Sequence, residues 1–394
     1  MKKLFWLFLI LLSGCSYQEK IVETPKPQIE TIEDKVLNIM NNMTIEEKIG
    51  QMLMIYDTHN IVNEKLIDFM NDIKPSGFII NQSNITTLSK TKKYIYDLKL
   101  NSKIPLIISI DQEGGVVQRL QGLQDKKATY IPSMYELGKT EDTNLAYQVG
   151  KVMAEDMRVL GINVVNGPVC DIFSNPNNKV IGTRSFGSDK NLVASMCTSL
   201  GKGLEDNGII AIYKHFPGHG DTAVDSHTSL PIINKTYEEI LDNEIVPFKK
   251  AIENGAKIIM TGHIAFPKIT NEIVPATLSK KIITDLLKNQ LGFDGLVITD
   301  ALNMGALNNN YTDEEIYIMA INAGVDILLM PNNAYNAIKT IKENISIDRI
   351  NQSVKKILLF KYTYLNDNVL DESYFNSLEH QNIINIIKNQ ELPD

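Results

Sequence analysis

The sequence predicts an α/β protein folded as a single (β/α)8 barrel of the TIM type, and three observations lead there. Eight short apolar runs recur along the chain, at Met52–Tyr56, Gly77–Ile80, Leu106–Ile110, Ile162–Val165, Ile209–Tyr213, Lys257–Met260, Leu296–Thr299 and Val325–Met330. Stretches with helical spacing alternate with them, for example Asn63–Ile73, Leu145–Leu160, Leu192–Asn207 and Ser279–Lys288. Such alternation implies a parallel sheet with covered faces. The third observation is that titratable residues cluster just after the runs, where barrels of this kind carry their sites. Eight units between Thr31 and Leu365 fit a closed barrel with insertions better than the alternative, an open doubly wound sheet.

The amino terminus stands apart from that pattern. Met1-Lys2-Lys3 precedes nine apolar residues, Leu4–Leu12, and then Ser13-Gly14-Cys15. A basic start, an apolar run too short to span a bilayer and small residues before the cut describe a secretory signal over 1–14. Leu12-Ser13-Gly14-Cys15 resembles the bacterial lipobox, which implies lipidation of Cys15 and attachment to a membrane through it. Residues 15–30 are polar, with Pro25 and Pro27 and no apolar period, and read as a tether. The folded domain is expected over 31–365, with a helical tail at 366–394.

Without Lys2 and Lys3 the basic residues number 37 against 47 acidic ones, a formal charge of −10. That charge argues against a nucleic-acid partner, and it leaves membrane attachment to the lipid. Hydrophobic residues make up 43% of the chain and charged ones 22%, enough apolar material for a large core. Apart from Cys15 there are only Cys170 and Cys197, too few for a disulfide framework and expected as buried thiols.

Within the domain, Thr44-Ile45-Glu46-Glu47, Thr236-Tyr237-Glu238-Glu239 and Thr312-Asp313-Glu314-Glu315 each carry the capping-box pattern that starts a helix. The third run leads into Asp111-Gln112-Glu113-Gly114-Gly115, the fourth to Asp171, the fifth to Lys214-His215, the sixth to His263 and the seventh to Asp300. No glycine-rich phosphate loop or dinucleotide fingerprint is present.

Lys214 to His227 holds three of the six histidines. Asp225 and His227 are two apart, so in an extended segment they face the same way and the carboxylate can hold the imidazole. Asp300 is a stiff carboxylate at a strand end, with helix capping as its plainer role. A charged carboxylate on one strand end and a held histidine on another suit displacement at an electrophilic carbon with proton transfer to the leaving group. A metal site built from His215, His219, Asp221 and His227 is the rival, weakened because Pro217, Gly218 and Gly220 exclude the helix that would align the first two. A Ser-His-Asp hydrolase is weaker still, since no Gly-x-Ser-x-Gly elbow occurs. Residues 216–228 read as one mobile loop because Gly218 and Gly220 permit wide backbone variation.

Lys214-His215-Phe216-Pro217-Gly218-His219-Gly220-Asp221-Thr222 followed by Asp225-Ser226-His227 resembles the signature of glycoside hydrolase family 3 β-N-acetylglucosaminidases. The resemblance extends from about Leu37 to Tyr364 and includes Asp111–Gly115 with Arg119, Pro168–Asp171, Ile181–Gly187 and Thr299–Ala306. It implies Asp300 as nucleophile, His227 as general acid/base and Asp225 as its orienting partner. It also implies that Asp111, Arg119, Arg184, Lys214 and His215 bind hydroxyls of a terminal sugar, with no cofactor and no metal. Asp171, His219, Asp221 and His263 are expected to hold loops. The resemblance implies an exo-acting, retaining enzyme that removes terminal β-linked N-acetylglucosamine from peptidoglycan fragments or related glycans. The alternatives are a family 3 β-glycosidase of other specificity, a phosphorylase, or a lipid-anchored glycan-binding protein without catalysis. Retention of Asp300, Asp225 and His227 together argues against the last. The chain ends soon after a short helical stretch, which disfavours the branch that draws its acid/base from a second α/β domain.

Overall fold

The computed structural model describes residues 30–222, 225–226 and 228–389. Cys15, the signal and most of the tether therefore lie outside the described residues, as does His227. Each of the eight apolar runs marks a strand of one sheet: β1 (Leu53–Tyr56), β2 (Gly77–Ile80), β3 (Ile107–Ile110), β4 (Val164–Val165), β5 (Ile210–Phe216), β6 (Ile258–Thr261), β7 (Leu296–Thr299) and β8 (Leu328–Leu329), with β5 and β6 extending past the ends of their runs. The sheet order is β8-β1-β2-β3-β4-β5-β6-β7, and every neighbouring pair is parallel. A parallel bridge between Ile298 and Ile327 closes the ring, with Thr299 N donating to the Ile327 carbonyl at 3.1 Å and Leu329 N donating to Thr299 Oγ1 at 2.9 Å. The expected (β/α)8 barrel is thus formed, and the open-sheet alternative falls away.

Strands this short stay together because both faces are buried. Phe78, Ile108, Val164, Ile212, Ile259, Val297 and Leu328 are each at most 1% exposed. The helices wrap this core in the order the apolar spacing implies. The three expected capping boxes at Thr44, Thr236 and Thr312 are formed, each threonine hydroxyl accepting from the backbone N–H three residues on. Thr31 and Ser133 make two more of the same kind. Asn163 stitches β3 to β4 from the side: its amide donates to the Leu106 carbonyl at 2.9 Å and its oxygen accepts from Ile108 N at 2.8 Å.

The last helix, Leu378–Asn389, packs on helix Thr143–Leu160. His380 is buried there, with Nε2 2.7 Å from Glu155 and Nδ1 3.2 Å from Thr129 Oγ1. Burial opposes its charge, yet the carboxylates of Asp156 and Glu155 outweigh that and raise its pKa. Cys170 and Cys197 are free and buried, with their sulfurs 3.5 Å apart. No described helix is long and apolar enough to cross a membrane.

Candidate active site

The site is assembled at the carboxyl end of the strands, and a local irregularity in β5 does much of the placing. β5 pairs with β6 in register at Ile212–Ile258 and Tyr213–Ile259, then slips so that Phe216 meets Thr261. At the slip Lys214 and His215, joined by a cis peptide bond, stand opposite the single residue Met260. A bulge of this kind re-aims side chains that an even strand would send alternately in and out. Both residues line the cleft.

Lys214 extends to Glu113, 2.6 Å away, and to Asp111 at 3.4 Å. Arg184 closes on Glu113 from the other side, with Nε at 2.7 Å and Nη2 at 2.8 Å. Burial alone would raise the Glu113 pKa, but the cations of Arg184 and Lys214 hold it well below the usual carboxylate range. Burial likewise works against the charge on Lys214, and Glu113 and Asp111 more than restore it. Asp111 also accepts from Arg119 Nη2 at 3.2 Å and Asn166 Nδ2 at 3.2 Å. Arg119 Nε and Asn166 Oδ1 are buried beside it without a partner among the described residues, donor and acceptor capacity that a polar ligand would use.

Asp171 supports the floor. Its carboxylate meets His215 Nδ1 at 2.6 Å and accepts from His219 N at 2.6 Å. That bond assigns the Nδ1 proton to the Asp171 side and fixes the ring. His219 in turn meets Thr222 Oγ1 through Nδ1 at 2.9 Å and Ser226 Oγ through Nε2 at 3.1 Å. Burial pushes its pKa down to about 4, so at neutral pH it is an uncharged spacer between Asp171 and the turn that carries Ser226.

Asp300 follows β7, with its N–H on the Thr261 carbonyl at 3.0 Å and one carboxylate oxygen accepting from Ala301 N at 2.8 Å. Burial would raise its pKa; His215, His263 and Lys214 lower it further than burial raises it, so the group is ionised at neutral pH. The plainer role of helix cap is not filled, since the next helix begins at Gly305 with Met304 as its N-cap, and the Asp300 carboxylate faces the cleft. His263 holds position beneath, 2.9 Å from Thr277 Oγ1 and 3.1 Å from the Ala301 carbonyl.

One cavity of about 250 Å³ gathers Asp111, Arg119, Arg184, Lys214, His215 and Asp300, from five separate stretches of chain. Glu113, His219 and Ser226 also line it, none of them among the expected sugar-binding residues. Glu113 carried a usable sign, since it stands two residues after Asp111 in the same polar run. Asp225 lies in the adjoining turn, where its carbonyl accepts from Thr228 N and Ser229 N at 3.0 and 3.1 Å. That turn rests on the segment after β7, with Ala306 N donating to the Ser226 carbonyl at 3.1 Å and Asn309 Nδ2 to the Thr228 carbonyl at 2.9 Å. His227 lies outside the described residues.

The expectation of one mobile loop over 216–228 fails for its first half. Phe216 through Gly220 are buried. Gly218, at φ +137, sits against the Glu244 side chain, and a Cβ on Gly220 would lie 1.6 Å from the Ile172 carbonyl oxygen. These glycines serve close approach of backbone, not freedom of movement. No group of three or more ligating side chains suited to a metal occurs among the described residues. A larger cavity of about 710 Å³ lies at the opposite end of the barrel, near Lys74, Lys103 and Tyr362. It lacks the converging charges of the smaller one and sits at the end where barrels keep stabilising contacts.

With this geometry in place, sequence comparison decides the family. The profile of the glycosyl hydrolase family 3 N terminal domain matches residues 44–359. The chain belongs to glycosyl hydrolase family 3. It is 38% identical over 302 residues to beta-hexosaminidase A of Pseudoalteromonas piscicida, covering 73% of this chain and 48% of that one. It is 34% identical over 266 residues to a beta-hexosaminidase of Nitrosomonas eutropha, covering 66% of this chain and 74% of that one. It superposes on a family 3 beta-N-acetylglucosaminidase from Paenibacillus sp. with a TM-score of 0.81 at 33% identity, over 88% of this chain and 68% of that one. The chain thus spans about half the length of the first of these relatives and some three quarters of the second.

Proposed function

We propose that this hydrolase is an exo-acting, retaining β-N-acetylhexosaminidase that removes terminal β-linked N-acetylglucosamine from peptidoglycan fragments or related amino-sugar glycans. The observation that carries the reading is an ionised Asp300 at the end of β7, in a cavity the size of one sugar ring, opposite a wall of charged hydrogen-bonding groups. Asp300 attacks the anomeric carbon, the glycosidic oxygen leaves with a proton from His227, and the sugar stays on Asp300 until water, deprotonated by His227, displaces it. Asp225 orients His227. Asp111, Arg119, Arg184, Lys214 and His215 bind the hydroxyls of the departing terminal sugar through directional, charge-assisted hydrogen bonds. The names of the relatives agree with this substrate class, and so does a charged cavity of about 250 Å³.

A panel of 4-nitrophenyl β-glycosides tests the reading. The N-acetylglucosaminide should be the best substrate, with free sugar as product even in phosphate buffer. Equal turnover of the glucoside would move the enzyme to another specificity, and sugar 1-phosphate as main product would make it a phosphorylase.

We further propose export and lipid anchoring at Cys15, supported by the basic start, apolar run and lipobox at residues 1–15. The barrel of 31–365 would then work at the end of a short tether on a bacterial membrane. Cys15→Ala should release the protein from membranes or leave it unprocessed, and wild-type protein recovered in the cytoplasm with residues 1–14 attached would contradict the proposal.

A further inference from the structure

Beyond the charged cleft, the carboxyl end of the barrel holds a second depression that the reaction as described does not use. Two adjoining hollows of about 270 and 370 Å³ share Ile55, Tyr56 and Phe69 and lie over the ends of β1 and β8. Asn303, Asn332 and Tyr335 line the larger one. Phe69 and Tyr335 meet edge to face, their centroids 5.9 Å apart and their planes at 83°, and Tyr335 is still 53% exposed. Its hydroxyl is tied to Asp72 at 3.3 Å, which braces the ring.

Rings with one open face beside uncharged amides are what a pyranose asks for. The sugar presents an apolar face of C–H groups and a rim of hydroxyls, and a tyrosine offers an apolar body with a polar tip. Position supplies the rest. In sheet order β7, β8 and β1 are neighbours, so the depression occupies the sector next to Asp300, and Asn303 is only three residues beyond it. The sugar-binding charges come from the other side, from β3 and β5. The turn through Ser226 and Thr228 rests on Ala306 and Asn309, and Asn332 reaches Asn308 at 3.2 Å. The side of the barrel that receives the turn through Ser226 and Thr228 is thus the side that borders the depression. The charged cavity, at about 250 Å³, has room for one sugar only, so the remainder of a glycan lies outside it.

We infer that the groove formed by Tyr56, Phe69, Asn303, Asn332 and Tyr335 binds the sugars on the leaving side of a β-linked amino-sugar chain, making the enzyme selective for oligosaccharides over simple glycosides. This inference rests on the proposed hexosaminidase activity and names the part of the substrate that activity leaves unassigned.

The experiment measures kcat/KM of the full-length protein for 4-nitrophenyl N-acetyl-β-glucosaminide and for β-1,4-linked N-acetylglucosamine dimer, trimer and tetramer. Wild type should gain with chain length. Tyr335→Ala should erase that gain, a loss of about tenfold on the tetramer, while the nitrophenyl substrate stays within about twofold. Tyr335→Phe keeps the ring and should keep the gain. Asn332→Ala, which leaves the rings untouched, should lose part of it. Melting temperatures near wild type show that the variants fold. Length-independent wild-type rates, or equal losses by Tyr335→Ala on long and nitrophenyl substrates, would overturn the groove. Failure of the wild type on the nitrophenyl substrate and the dimer alike would instead overturn the hexosaminidase reading beneath it.

Discussion

Glu113 grips Arg184 with both carboxylate oxygens, at 2.7 and 2.8 Å, in a position where the Glu113 side chain is 1% exposed. Lys214 shares the same carboxylate at 2.6 Å. Two cations proposed to bind the sugar are thus held on one buried anion, which keeps them from repelling each other apart. Removing that anion leaves buried positive charge without compensation. Glu113→Gln is therefore expected to cost about 3 to 5 kcal/mol of stability, read by urea denaturation. The folded fraction should also show a raised KM. A variant with wild-type stability and KM would mean the clamp is dispensable.

Acid should loosen the floor of the site through His219. The unfolded chain takes up this proton as pH falls through the ordinary 6.5, whereas the folded protein, in which burial disfavours the cation, resists until about 4. Between those values the unfolded state binds more protons, so the stability that neutral His219 permits is complete above 6.5 and is lost as pH falls toward 4. The stability difference between wild type and His219→Gln should shrink by on the order of 3 kcal/mol from pH 7 to pH 4. A difference that stays constant with pH would refute this.

The two proposed catalytic groups separate by leaving group. A sugar alcohol needs a proton to depart, nitrophenolate does not, and attack by Asp300 is common to both. His227→Ala should slow glycosylation by natural disaccharides about 10² to 10⁴-fold while barely changing that step for the nitrophenyl substrate. With no base to activate water, the variant should release a burst of nitrophenol and retain sugar on Asp300, detectable by peptide mass spectrometry. Asp300→Ala should give neither burst nor adduct. Equal losses on both substrates, or an adduct elsewhere, would reassign the roles.

The thiols offer a probe of the core beside the cleft. Cys170 follows directly on the backbone that pairs with Lys214, and burial and the neighbouring Cys197 raise its pKa well above the ordinary value. Neither sulfur should react with a thiol-specific disulfide reagent in the native protein, and both should react once denaturant unfolds it. Rapid labelling under native conditions would show that this side of the barrel opens readily.

Much of the site was legible because its residues stand at the carboxyl ends of buried apolar runs. Asp111, Lys214, His215 and Asp300 interrupt apolar runs, and charged side chains there are costly unless used. Glu113 and His219 were harder to judge. A glutamate two residues past Asp111 looks the same in sequence whether it meets solvent, substrate or an arginine more than seventy positions away. The glycines of 216–220 misled for a similar reason: sequence shows that a side chain is missing, and only the fold shows that the Ile172 carbonyl fills the space.

What the sequence determined by itself was local and periodic. Eight apolar runs with helices between them specify strands, helices and their order, since burial of alternate elements follows from spacing along the chain. Capping threonines specify where helices start, because cap and partner are three residues apart. The tertiary structure alone decided how the ends of β3, β5 and β7 converge, which way the bulge at Lys214 and His215 turns them, and that Glu113 faces Arg184. Those relations depend on closing the ring between β7 and β8 and on packing between residues seventy or more positions apart, and no spacing rule in a linear sequence encodes a distance that only closure creates.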